Sequence, residues 1–187
     1  MKMRLFVLAS CLFTFNQVVS QDPEVTTYFG EKNGFQVDFP ADWGVELKEI
    51  KAMMVYTTFL VGVKGDMPGT VAQIRTSFGC KNPKSEIKNW ISIFEKGAKK
   101  SDDDKFSIKD QGEGIRSDEK EFSYIDYTYT LKSDDGSSNV IRRKFYIICH
   151  NYKMNKYSFQ FTFETRELDW DKVSAVYDKI FSSVKFK

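Results

Sequence analysis

Tyr157, Phe159, Phe161 and Phe163 alternate strictly with Ser158, Gln160 and Thr162, and no other stretch constrains the chain as tightly. A repeat of two puts all four rings on one face of a β-strand. An apolar face of that size needs a second layer over it, so the chain has to build a sheet with something packed against it. Other segments carry the same period. GFQVDFP alternates Phe35, Val37 and Phe39 with Gln36 and Asp38 after a short lead-in at residues 22–27. Pro40 is expected to stop that ladder by removing an amide donor, and Trp43 to cap one edge of the core.

VELKEI, MMVYTTFLVGV and TVAQIRTSFGC follow, all β-prone and separated by turn material such as GDMPG. Alternation in the last of these sets Ala72, Ile74, Thr76, Phe78 and Cys80 on one face. The second half reads as an antiparallel meander. Ile125, Tyr127, Tyr129 and Leu131 share a face, Ser133-Asp134-Asp135-Gly136-Ser137 supplies a turn, and VIRRKFYIICH returns to the polar NYKMNK turn before Tyr157. Gly112-Glu113-Gly114 reads as a loop between strands.

Two segments switch to the helical period. From Ser85, a good N-cap, Ile87, Trp90, Ile91 and Phe94 form one stripe that Gly97 can end. A final helix opening at the N-cap Asp169 lines up Trp170, Val173, Tyr177, Ile180 and Val184, with Val176 and Phe181 broadening the stripe. Asp102-Asp103-Asp104 between helix and meander reads as a solvated loop, since no second oxygen cluster stands at calcium-loop spacing.

The N-terminus adds an address. MKMRLFVLASCLFTFNQVVSQ sets Lys2 and Arg4 before an apolar run and ends on small residues near Ser20, the order of a secretory signal peptide. Residues 1–20 are therefore assigned to a leader, and residues 21–187 to one α+β domain without a transmembrane segment, secreted or periplasmic. Leu8-Ala9-Ser10-Cys11 allows a second reading, a lipoprotein anchored at Cys11. Only six residues separate Arg4 from Cys11, short for the ~7–15 apolar residues of a signal peptide.

Removing the leader also changes the charge. The whole chain has 28 Lys+Arg and 26 Asp+Glu, and Lys2 and Arg4 leave with a segment that holds no acid. The mature chain is then formally neutral, which speaks against nucleic acid as a partner. Of the 3 cysteines, Cys80 and Cys149 would remain, an even count in an oxidising compartment, and a Cys80–Cys149 disulfide is expected. The absence of any Asn-x-Ser/Thr sequon favours a bacterial over a eukaryotic secretory origin.

The element order, with GFQVDFPADW at its start and IFSSVKF at its end, resembles the PsbP-like fold family from about Tyr28 to Lys187. The residues that carry the likeness are Gly34, Phe35, Pro40, Trp43, Ile180, Phe181 and Ser183, all of them fold-forming positions. That family includes an extrinsic photosystem II protein, a Ran-binding import factor and many exported bacterial proteins. The resemblance implies an α/β/α sandwich with a central antiparallel sheet, one middle helix and one C-terminal helix, and a binding or accessory role. It transfers no functional residue.

Chemistry is sparse. His150 is the only histidine, and neither Cys80 nor Cys149 belongs to a CxxC pair, so no metal or other cofactor is expected. GxSxG, Walker-type and GxGxxG motifs are missing. Cys149 and His150 are adjacent on a strand and point to opposite faces, so they cannot pair with each other. Parity instead joins Cys149 to Phe145 and Ile147, and Cys80 to Phe78. No catalytic residue is assigned. The expected function is an exported, non-enzymatic binding or accessory module acting on an unidentified protein or small molecule through one sheet face or its loops, with Tyr124, Tyr152 and Tyr157 as candidate exposed aromatics. The alternatives are a cysteine-dependent hydrolase using Cys80 and His150, and an accessory subunit of an envelope complex.

Overall fold

The computed structural model describes residues 24–52, 55–101, 105–132 and 136–187. The expected leader at residues 1–20, Cys11, the Asp102–Asp104 run and the Ser133–Asp135 part of the expected turn lie outside them. The described residues build two antiparallel sheets and two α-helices.

The larger sheet has seven strands in the order β3-β4-β5-β9-β8-β7-β6, formed by Trp43–Ala52, Val55–Lys64, Val71–Phe78, Asn155–Arg166, Ser138–Tyr152, Glu121–Lys132 and Ser107–Ile115 respectively. Helix α1 (Pro83–Ser101) covers part of one face. The other face carries helix α2 (Trp170–Ser183) and a three-stranded sheet of β1 (Val25–Gly30), β2 (Phe35–Pro40) and β10 (Lys185–Phe186). This is the α+β sandwich that the alternation requires. GFQVDFP, however, belongs to the smaller layer, and its partner β1 begins inside the segment read as a lead-in. Pro40 ends β2 while still standing opposite Val25, at the last position of the ladder, where a missing amide costs least.

The aromatic face of β9 is the floor of the main core. Tyr157, Phe159, Phe161 and Phe163 are buried beneath Phe35, Val37 and Phe39 of β2 and Val173, Tyr177, Ile180 and Phe181 of α2. At roughly 1.5–3 kcal/mol for each large side chain buried, this layer supplies most of the drive to fold. A second core lies on the opposite face, where Ile87 of α1 packs on Ile125, Tyr127, Phe145 and Ile147 with Trp90 and Phe94 beside it.

The helix ends differ from expectation. Asn82, not Ser85, caps α1: its Oδ1 accepts from the Ser85 amide at 2.8 Å, and Pro83 takes the first-turn position where a missing N–H costs nothing. The helix runs through Gly97 to Ser101, because one helical glycine costs only about 1 kcal/mol. Asp169 precedes α2, but its carboxylate accepts from Arg166 and Lys172, both at 2.7 Å, and from no helix amide.

Gly112 and Gly114 lie inside β6, not in a loop. A Cβ on Gly114 would come within 2.5 Å of the Phe122 ring, so the missing side chains let β7 aromatics lie across the edge strand.

Candidate interaction surface

Register places the residues of the large sheet in rows. One row on the α1 side runs Phe145, Thr162, Gln73, Val61, Glu46; the next runs Ile147, Gln160, Arg75, Phe59, Lys48; a third runs Arg143, Glu164, Val71, Val63, Gly44. Helix α1 packs on β7 and β8, at the Phe145 and Ile147 end. Along β3, β4 and β5 no described helix lies over the same face. Phe59, Val61 and Val71 are only partly buried there, and Val63 is 41% exposed.

The reverse face of these strands is buried, with Leu60, Ala72 and Ile74 in the main core. Strand β4 is therefore apolar on both faces while only one is covered. A sheet face open to water ordinarily alternates to polar residues, so Phe59, Val61, Val63 and Val71 together form a contiguous apolar patch out of place on a free surface. Arg75 holds its guanidinium 5.4 Å from the centre of the Phe59 ring.

The other expected site residues lie elsewhere. Cys80 and Cys149 are paired, with Cα atoms 5.7 Å apart, within the usual disulfide span. Cys80 does not share a face with Ile74. Strand β5 ends at Phe78, which is 59% exposed, and Gly79 at φ +79° turns the chain across the sheet end. Parity cannot be carried through such a turn, and Cys80 arrives on the α1 side beside Cys149.

His150 stands on the opposite face. Its Nε2 lies 3.0 Å from the Lys187 carbonyl oxygen, and its ring packs 4.8 Å from that of Phe186. Burial and the nearby Lys120 ammonium pull its pKa below the ordinary value, against a smaller upward pull from the Lys187 carbonyl and Asp118. Cys80 and His150 are thus not brought together, and the paired sulfur leaves no thiol for a dyad.

Of the expected exposed aromatics, Tyr157 is 2% exposed and belongs to the core. The Tyr124 hydroxyl donates to Asp110 at 2.7 Å, and the Tyr152 ring fills the space beside Gly34. All three lie on the α2 side, away from the open patch. The signal for that patch is present in MMVYTTFLVGV, where Phe59, Val61 and Val63 alternate with Leu60 instead of with polar residues.

Arg116 is another residue whose role the sequence pattern hides. Buried at the β6–β7 turn, it donates to the carbonyls of Phe181 and Val184, closing the C-terminal end of α2, and its guanidinium carbon lies 4.9 Å from the centre of the Phe181 ring. A cleft of about 530 Å³ flanks the first turn of α1, but its most prominent charges, Lys84 and Glu113, pair with each other at 2.9 Å. Among the described residues no group of three or more His, Cys, Asp or Glu is arranged to hold a metal ion, and no helix is long and apolar enough to cross a membrane.

Sheet order, the helix on each side and the small β1-β2-β10 layer define a PsbP-like fold. The solution structure of cyanobacterial PsbP (CyanoP) from Synechocystis sp. PCC 6803 is similar over 90% of this chain and 96% of its own, with TM-score 0.58 and 12% identity. LpqN of Mycobacterium tuberculosis, a protein involved in cell envelope biogenesis, aligns over 88% of this chain and 91% of its own at TM-score 0.48 and 12% identity. A Bacteroides thetaiotaomicron protein aligns over 86% of this chain and 48% of its own at TM-score 0.45 and 10% identity. No protein-family model and no curated protein matches the sequence.

Proposed function

We propose that this chain is an exported, non-enzymatic accessory module of the cell envelope that binds a protein partner across the uncovered β3–β4–β5 face. The observation that carries the reading is the half-covered sheet. Phe145 and Ile147 have a helix above them, while Val61 and Phe59, in the same rows, do not. Export is supported by the leader at residues 1–20, and by the pairing of the two cysteines that would remain once it is removed. Residues 21–187 would then act as one periplasmic or secreted domain, its Cys80–Cys149 bridge stable in an oxidising compartment.

A photo-crosslinking residue placed at position 61 in the native host tests the binding reading, with the exposed α1 position Lys88 as control. The expected result is one adduct of defined mass from position 61, lost on Val63→Asp, and none from position 88. No adduct at 61, or equal adducts at both positions, overturns it.

A further inference from the structure

Resting on that reading, we infer that the partner seats an amphipathic α-helix on β3, β4 and β5, with acidic residues at the end that meets Lys48 and Arg75. Three observations select this occupant. The first is size. Three strands of 10, 10 and 8 residues at about 4.8 Å spacing and ~3.3 Å per residue make a face of roughly 450 Å². A stable dimer buries roughly 800 Å² on each partner, so a second copy of this chain does not find enough surface here. One helix, about 10 Å across, fits.

The second observation is precedent within the fold. The same face already takes α1 through Ile87, Trp90 and Phe94, and parallel helices on a sheet sit roughly 8–10 Å apart. Only β9 lies between the α1-covered β8 and the open strands, and a helix centred on β4, about 17 Å from α1 at ~4.8 Å per strand, has room beside it. An extended peptide would instead pair with a strand edge, because a sheet face offers it no backbone hydrogen bonds.

Charge is the third. Lys48 and Arg75 flank Phe59 in one row, and both side chains are exposed. Neither is ion-paired to a carboxylate among the described residues; Arg75 instead lies over the Phe59 ring. The acids of the neighbouring rows do not neutralise this end: Glu164 is bonded to Arg143, and Glu46 stands one row away beside Val61. An acidic side chain on the incoming helix pairs with Arg75 and exposes the Phe59 ring to the helix's apolar stripe.

The test uses two synthetic helical peptides of about five turns that share a leucine stripe, one with Glu and one with Lys at the flanking positions. Each is titrated into the oxidised protein lacking its leader, with affinity and amide NMR shifts as readouts. The Glu peptide is expected to bind at least tenfold more tightly and to shift Phe59, Val61, Val63 and Val71, and Arg75→Glu is expected to invert the preference without changing the far-UV spectrum. Equal affinities, shifts centred elsewhere, or self-association that Val63→Asp abolishes would each overturn the helix assignment. Failure here alongside a position-61 adduct removes only the helix; failure of both removes the binding surface itself.

Discussion

Phe145 and Val61 stand in one cross-strand row of the seven-stranded sheet, and only Phe145 has a helix above it. Two strands, β9 and β5, separate a core position from a partly buried one of similar chemistry. On the other face both neighbourhoods are buried, so the asymmetry belongs to the α1 side alone.

The cysteine pair makes the most accessible prediction. Cys80 and Cys149 are 69 residues apart in sequence, so a bridge between them closes a long loop in the unfolded chain. In the chain-entropy account such a loop contributes about 4 kcal/mol. Cys149→Ser should lower the urea unfolding free energy by about that amount in oxidising buffer, and by nearly nothing in excess reductant. Two free thiols in the unfolded, unreduced protein lacking residues 1–20 would show that the bridge does not form.

Arg116 should matter more than a surface arginine. It is nine-tenths buried and donates to two carbonyls at the end of α2. Arg116→Met leaves both acceptors unpaired and is expected to cost about 2–4 kcal/mol in denaturant unfolding. A loss below about 0.5 kcal/mol would mean that the guanidinium does not cap the helix.

The two glycines on either side of the β3–β4 pairing separate packing from strand propensity. A Cβ on Gly62 would meet the Phe39 ring at 2.3 Å, whereas one on Gly44 would find only the Val63 carbonyl oxygen, at 3.9 Å. Gly62→Ala should therefore destabilise by about 1–3 kcal/mol. Gly44→Ala should be neutral or slightly stabilising in the same thermal melts.

Acid sensitivity should divide into two windows. His150 titrates below its ordinary 6.5 in the folded protein, chiefly through burial, so the unfolded chain takes up the proton first as pH falls. Its contribution is fully present above pH 6.5 and is lost between 6.5 and the depressed folded value. His150→Gln should flatten stability across that window. Asp169 is held below its ordinary 3.8, first by the hydrogen bond from Lys172 and further by Arg166, against an opposing effect of desolvation. Its contribution is lost only below pH 3.8, so the Gln variant should keep the acid limb; a single unchanged transition in both proteins would contradict the assignment.

Much of the architecture was legible because alternation is a strong signal where one face is covered. Tyr157 to Phe163 and the Trp170 to Val184 stripe fall where their periods put them. Local chemistry was less legible where two signals compete. Asn82-Pro83 outranks Ser85 as a helix start, and Gly79 breaks a parity that would otherwise have carried Cys80 to the wrong face. The open patch is illegible for a different reason: a strand apolar on both sides announces two covered faces, and sequence alone does not show which cover is missing. Arg116 was invisible because its partners are backbone carbonyls 65 and 68 residues away.

Comparing Val61→Asp with Phe145→Asp tests the central claim most directly, by urea unfolding together with recovery of the adduct from a crosslinker at position 63. The uncovered face predicts that Val61→Asp keeps its unfolding free energy to within about 1 kcal/mol and loses the adduct, while Phe145→Asp fails to fold. A Val61→Asp protein that is as unstable as Phe145→Asp, or that yields the adduct undiminished, would contradict it.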